Sequence, residues 1–337
     1  MKVSGLARYV LFRTIQYLAT VISGVTSVFL IMRAMPVNAL ESMLSNILRM
    51  GEVHDPQNLI VLRKTFYEIL GVSESPLEAY LKFIIRVFTF NFGPSMVAYP
   101  TPAGELVFIR LPWTIGLLSI TTLISWIIGN VMGTLSGFFR SSRLSKFLES
   151  VAIVLYPIPY YILAIVLVTL FAFIFRIFPA GGGSSIISRQ LTFDVIINIL
   201  WHATLPALSL VLPGALGWAF ISSKTLASQT MVEDYIVFAE MRGIPKVQIL
   251  RKYVLRNILP PQITNLALSL GGIFGGALLT EIVFAYPGVG SIVYTAVYFG
   301  DINTLMSVLF FSILAISTAV YLLDLLYPLL DPRIRYR

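Results

Sequence analysis

The sequence predicts an all-α integral membrane protein with six transmembrane helices and a small helical extracytoplasmic segment. Three observations carry that expectation. Of the 337 residues 57% are hydrophobic and only 12% charged, whereas soluble domains carry about 25% charged residues. The apolar residues are gathered into six long blocks, and the basic residues fall between those blocks unevenly.

The blocks are 10–32, 109–139, 147–175, 195–226, 259–284 and 305–327. Each can cross about 30 Å of hydrocarbon at about 1.5 Å per helical residue. The first follows Lys2 and Arg8 and contains Arg13. It is longer than the apolar region of a secretory signal and no small-residue cleavage site follows closely, so a retained anchor is expected.

With the N-terminus inside, the inner segments hold Lys2, Arg8 and Arg13, then Arg140, Arg143 and Lys146, then Lys224, Arg242, Lys246, Arg251, Lys252 and Arg256, and finally Arg333, Arg335 and Arg337. That is fifteen of the 24 Lys and Arg residues. The excess places both termini in the cytoplasm of a multi-pass inner (cytoplasmic) membrane protein. The net charge of +8 forms no basic stripe, so nucleic acid is not an expected partner. The lipid bilayer is.

The extracytoplasmic segment 33–105 carries two helix starts. Asp55 can cap a helix with Pro56 in its first position and Gly71 past its end. Ser75, Pro76 and Glu78 give a second start, a capping box with proline at the first helical position. The segment is expected to cap the outer surface.

The inner connection between the fourth and fifth blocks reads as two short helices. Thr230 and Glu233 form a capping box that would start a helix over 231–242, Glu233 and Asp234 suit its positive end, and Arg242 its negative end. Gly243 and Pro245 stop it. A basic helix over 246–257 then leads to Pro260 and Pro261 at the mouth of the fifth span.

Enzymatic chemistry is hard to place. There is no cysteine, hence no thiolate metal site or cysteine nucleophile. No phosphate loop, G-x-S-x-G elbow or H-E-x-x-H is present, and the two histidines are His54 and His202, the latter beside Trp201 at a span end. No catalytic residue, resident cofactor or metal site is expected. Within the spans, Asn130, Thr264, Asn265 and Ser269 need partners or water, which makes them candidates for a solute path. Glu281, near the outer end of the fifth span, is either solvated there or a gate residue. Gly271, Gly272, Gly275 and Gly276 form two overlapping small-x-x-x-small pairs, read as helix packing or pore wall.

Residues 230–261, TMVEDYIVFAEMRGIPKVQILRKYVLRNILPP, resemble the cytoplasmic coupling loop of ABC-importer permeases in the dipeptide, oligopeptide and nickel group. The matching positions are Asp234, Tyr235, Ala239, Arg242, Gly243, Leu255, Arg256, Asn257 and Pro261. The stretches EIVFAYPGVG at 281–290, LDPR at 330–333 and ARYVLFRTIQ at 7–16 also agree. Two departures stand out: Val237 occupies the place of the glutamate that docks the loop in permeases generally, with Glu240 as a substitute, and 36–39 read Pro-Val-Asn-Ala instead of a Pro-Gly-Asp-Pro-like turn.

The resemblance implies a type I ABC-importer permease fold that is not itself an enzyme and forms half of the translocation pathway. It implies a second homologous permease subunit, two cytoplasmic ATPase subunits that use ATP and Mg, and an extracytoplasmic solute-binding protein. It assigns ATPase coupling to Asp234, Tyr235, Phe238, Ala239, Glu240, Arg242, Gly243 and Pro245. Di- or oligopeptides are the leading substrate, with nickel or short oligosaccharides as alternatives. The expected organisation is a first span within 1–32, the outer segment 33–105, a five-helix core 106–330 containing the coupling loop 227–257, and a cytoplasmic tail 331–337. An ion-driven carrier or channel is the competing class, but the matched interrupted helices of such carriers are not visible in the two halves.

Overall fold

The computed structural model describes residues 5–34, 60, 64, 75–95, 97–186, 192–275 and 277–330. Among them the architecture is helical throughout. In chain order the elements are α1 (Gly5–Arg33), α2 (Pro76–Phe88), α3 (Ala103–Phe138), α4 (Arg143–Leu155), α5 (Tyr160–Val168, continued by a π-helical turn Thr169–Ile174), α6 (Phe193–Pro213), a π-helical turn Gly214–Ala219, and α7 (Phe220–Thr230). Then come α8 (Asp234–Met241), α9 (Lys246–Ile249), a π-helical turn Leu250–Val254, α10 (Leu255–Gly271), a 3-10 turn Gly272–Gly275, α11 (Leu278–Val283), α12 (Val289–Phe299) and α13 (Ile302–Leu330).

Four stretches are long and apolar enough to cross a membrane as single helices: Ala7–Arg33, Ala103–Phe138, Phe193–Thr230 and Ile302–Leu322. They coincide with four of the six sequence blocks. The third block is instead a pair, α4 and α5, bent by 97° at the break between them. Pro157 and Pro159 supply the reason, since neither offers an amide hydrogen and each disfavours a helical residue before it. Pro159 ends as the N-cap of α5.

The fifth block is not one helix either. α10 stops at Gly271, the 3-10 turn follows, and α11 resumes at Leu278. Its glycines act as helix breakers because glycine loses the most backbone entropy in a helix. A Cβ at Gly272 would meet nothing within 4 Å, so that glycine seats no neighbour within the chain. At the other end, α10 runs through Pro260 and Pro261 where a boundary was expected.

By contacts the chain divides into two compact units, Met1–Trp113 with Gly288–Leu325 and Tyr336–Arg337, and Thr114–Pro287 with Leu326–Arg335. In the first, Val25, Val28 and Phe29 of α1, Phe83 and Val87 of α2, and Met306, Phe310 and Phe311 of α13 form the core. The Ser75 hydroxyl accepts from the Glu78 amide at 3.4 Å and Pro76 opens α2, as the sequence predicts. The other outer helix, expected after Asp55, lies outside the described residues.

The same unit holds a fully buried carboxylate. Asp301 Oδ1 accepts from the Thr304 amide at 3.0 Å, capping α13, and Oδ2 accepts from the Ser95 and Thr304 hydroxyls and the Val97 amide. This set ties Ser95 and Val97 to the start of α13.

In the second unit, Gly129, Gly133 and Gly137 of α3 face Ala219, Ser223 and Ala227 at the same four-residue spacing. Such rows let backbones approach closely where lipid offers no hydrophobic drive to associate. A Cβ at Gly129 would lie 2.5 Å from Ala219 Cβ, and one at Gly137 2.5 Å from Ala227 Cβ; at Gly133 it would overlap Ser223 Oγ and the Phe220 carbonyl. Gly133→Ala is therefore expected to destabilise the detergent-solubilised protein by about 1–3 kcal/mol, read as a lower midpoint in thermal unfolding. Gly116→Ala, where nothing lies within 4 Å, is expected to leave the midpoint unchanged or raise it.

Candidate functional site

The inner connection folds as two helices, α8 and α9, joined by a glycine turn. Its start differs from the sequence expectation. α7 continues to Thr230, whose hydroxyl donates to the Leu226 carbonyl at 2.8 Å. A threonine inside a helix has that four-back carbonyl within reach, and the Glu233 amide donates to the Thr230 carbonyl at 3.2 Å, not to its hydroxyl, so no Thr230–Glu233 capping box forms. α8 begins at Asp234 with Glu233 as N-cap and no side-chain cap bond.

The stop is as the sequence predicts. Gly243 has φ +71°, its amide donates to the Glu240 carbonyl at 2.9 Å, and the Ile244 amide donates to the Ala239 carbonyl at 3.2 Å. These two bonds are the Schellman pair, which needs a left-handed residue at the turn. Pro245 then precedes α9 as its N-cap.

The faces of α8 divide cleanly. Ile236 and Ala239 are buried with Ala227, Ile249, Val254 and Ile258 in one apolar cluster. Val237, Phe238 and Met241 are exposed, at 40%, 62% and 81%, and with Asp234 they fall at i, i+3, i+4 and i+7 on one face. Glu240 and Arg242 are exposed as well, and the Arg242 guanidinium lies 5.9 Å from the Phe238 ring centroid. Ala239, assigned to the coupling contact from the sequence, thus serves the loop's own core. Its small side chain lets α8 sit close to α9.

Tyr235 lies against Tyr253 with ring centroids 6.5 Å apart and accepts from Asn257 Nδ2 at 2.7 Å. Burial, and then the neighbouring Glu233 carboxylate, push its phenol above its ordinary value. Tyr235 therefore stays a neutral hydroxyl, pinning α8 to the helix that leads into α10.

The candidate path residues do not form one cluster. Asn130, on α3, donates Nδ2 to the Trp126 carbonyl at 2.8 Å, and its Oδ1 is buried without a hydrogen-bond partner. Thr264, Asn265 and Ser269, on α10, are each partly exposed within the chain. Glu281, on α11, is fully buried and accepts from the Thr114 hydroxyl at 2.7 Å, so it is not solvated. Thr114 and Asn130 are sixteen residues apart on α3, about 24 Å along the axis.

One residue escaped the sequence reading. Gln262 is fully buried, donates Nε2 to Ser222 Oγ at 2.8 Å, and its carbonyl accepts from Trp126 Nε1 at 2.8 Å. Its Oε1, like Asn130 Oδ1, is buried without a partner. A polar residue beside Pro261, three before Asn265 on the same helix, was the available signal. Among the described residues no group of His, Asp and Glu is placed to hold a metal ion.

Residues 129–336 match the family model for the binding-protein-dependent transport system inner membrane component. The chain is 26% identical over 331 residues to the oligopeptide transport system permease protein AppB of Bacillus subtilis, covering 98% of this chain and 100% of that protein. It is 30% identical to the dipeptide transport system permease protein DppB of Alkalihalophilus pseudofirmus, covering 96% and 98%. To the probable D,D-dipeptide transport system permease protein DdpB of Escherichia coli it is 31% identical, covering 79% and 82%.

The two faces of α8 make separable predictions. Ala239→Asp places a charge in the loop core and is expected to open the loop, giving faster tryptic cleavage after Arg242 in detergent. Phe238→Asp replaces an exposed side chain, a change worth within about 0.5 kcal/mol, and is expected to leave the cleavage rate unchanged.

Proposed function

The chain belongs to the family of binding-protein-dependent transport system inner membrane components, and from that membership we propose that it forms half of the translocation pathway of an ATP-driven peptide importer. The other half is a second, homologous permease subunit. Two cytoplasmic ATPase subunits use ATP and Mg, and an extracytoplasmic binding protein delivers the solute. Peptides are favoured because the relatives above are named for oligopeptides and dipeptides. The excess of basic residues in the inner segments supports cytoplasmic termini and a cytoplasmic α8. The six-span count holds if the bent pair α4 and α5 and the interrupted pair α10 and α11 each make one crossing.

The observation that carries the reading is the division of α8. Its inner face is packed into the cluster that also holds Ala227 of α7 and Ile258 of α10, while Val237, Phe238 and Met241 present an apolar stripe outward. A closing ATPase dimer that grips this stripe moves α8, and α8 moves the helices continuous with the spans. Val237 supplies apolar contact where permeases generally carry a glutamate, and Glu240 puts a carboxylate one turn further on. The solute path runs past α3 and α10, where Asn130 Oδ1 and Gln262 Oε1 are open acceptors and Thr264, Asn265 and Ser269 are partly exposed. Alternation of that path requires contacts that differ between its two states. Glu281, held by Thr114 beside the helix interruption, acts as a gate residue there.

The test is uptake and ATP hydrolysis by the whole complex in liposomes. A Cβ at Gly243 meets nothing within 4 Å, so substitution there acts only through the left-handed backbone, at about 1–2 kcal/mol for ordinary residues. Gly243→Val is expected to uncouple hydrolysis from uptake, whereas Gly243→Asn, which tolerates that conformation, keeps most of the coupling. Phe238→Asp is expected to lose ATPase association with the loop intact. Normal coupling in both Gly243→Val and Phe238→Asp would overturn the reading.

A further inference from the structure

α2 is apolar on two opposite faces. Ala79, Phe83 and Val87 are buried against the first unit's core, while Leu77, Leu81, Ile85 and Phe88 are exposed at 67%, 52%, 62% and 45%. On a helical projection these four fall within about 80° on the side away from the core, at 100° per residue. Glu78, Lys82 and Arg86 share one narrow edge. A helix standing in water carries charge opposite its packed face, whereas one apolar nearly all round belongs in a core or a membrane.

Its depth beside the spans says which. The Tyr80 hydroxyl bonds Thr26 of α1 at 2.8 Å, and the Tyr80 and Phe83 rings each lie 5.3 Å from Phe29. Phe83 and Val87 also line one cluster with Val25, Met306, Phe310 and Ile313. Thr26 is seven residues before Arg33, where α1 ends, and Phe310 eight after Ile302, where α13 begins. Counted from the ends of the apolar blocks at Met32 and Leu305, they lie six and five residues in, roughly 8–9 Å at 1.5 Å per residue, over half of one leaflet of a hydrocarbon core about 30 Å thick. Leu30 and Ile31, near the same end of α1, are exposed as well, at 59% and 68%.

We propose that α2 is a half-membrane helix, its Leu77, Leu81, Ile85 and Phe88 stripe lying against lipid acyl chains of the extracytoplasmic leaflet instead of standing above the membrane. The choice of leaflet rests on the orientation in the proposed function; the lipid contact does not. Burying the stripe in hydrocarbon accounts for the four exposed apolar side chains, and the Glu78, Lys82 and Arg86 edge gives the helix a side on which charge reaches the headgroups or water.

The native chain has no cysteine, so single cysteines carrying a bimane label can be placed at Leu81, Ile85, Lys82 and, as a lipid-facing control, Ile31. The whole complex is reconstituted in phosphatidylcholine liposomes with or without brominated acyl chains. The expected result is a loss of fluorescence at 81 and 85 in brominated lipid matching that at 31, with little quenching by aqueous iodide, and the reverse balance at 82. Iodide quenching without bromolipid quenching at 81 and 85 would mean a water-facing helix and overturn the proposal. Quenching by neither would overturn it in favour of another protein surface covering the stripe. None of these readouts depends on ATP or uptake, and quenching at 31 reports insertion separately, so failure here is distinguishable from failure of the importer reading.

Discussion

Close backbone contact between the small-residue rows of α3 and α7 sets the geometry on which α8 is seated. In lipid the hydrophobic effect does not draw one span to another, so packing distance and interhelical hydrogen bonds decide the association. Gly129, Gly133 and Gly137 remove every Cβ from the α3 side, and Ser223 Oγ donates across the seam to the Gly129 carbonyl at 3.1 Å. The last member of the α7 row, Ala227, also belongs to the loop cluster with Ile236, Ala239, Ile249, Val254 and Ile258. One alanine thus closes the seam and supports α8. α8 is positioned by packing onto a span.

Polar groups in an apolar setting follow two patterns. Asp301 and Glu281 are both fully buried, and both accept hydrogen bonds from hydroxyls: Ser95 and Thr304 for the first, Thr114 for the second. A buried carboxylate engaged in this way fixes the elements around it, because losing a partner leaves a costly unpaired group. Asn130 and Gln262 differ. Each uses its amide nitrogen as a donor and leaves its side-chain oxygen buried and open. Unsatisfied acceptors of this kind are uncommon in folded proteins.

Much of the fold was legible in the sequence because its strongest signals are cooperative. A span is announced by twenty apolar residues together, and a Schellman stop by glycine after a charged helix end, so α1, α3, α6 with α7, α13 and the turn at Gly243 were all readable. The features that escaped depend on single competing choices. The Glu233 amide can donate to the Thr230 hydroxyl or to the Thr230 carbonyl, and the continuation of α7 decides between them. Gly271, Gly272 and Gly275 resemble a packing motif but lie where a helix breaks, while the working seam pairs glycines on α3 with an alanine, a serine and an alanine that look like filler in the sequence. The inward turn of Ala239 follows from its sharing with Ile236 the face that packs on Ala227 and Ile249, a tertiary contact. α2 was legible as a capped helix, but its second apolar face acquires meaning only beside the depth of Thr26 and Phe310.

The central claim is that α8 offers its Val237, Phe238 and Met241 stripe to an ATPase. Its most direct test is the rate at which a single cysteine at Met241, the most exposed of the three, reacts with a water-soluble maleimide in the purified permease pair, with and without the ATPase subunits. The account predicts strong protection at 241 when the ATPases are present and none at a control cysteine replacing Lys82 on α2. Equal labelling at 241 with and without bound ATPases would contradict it.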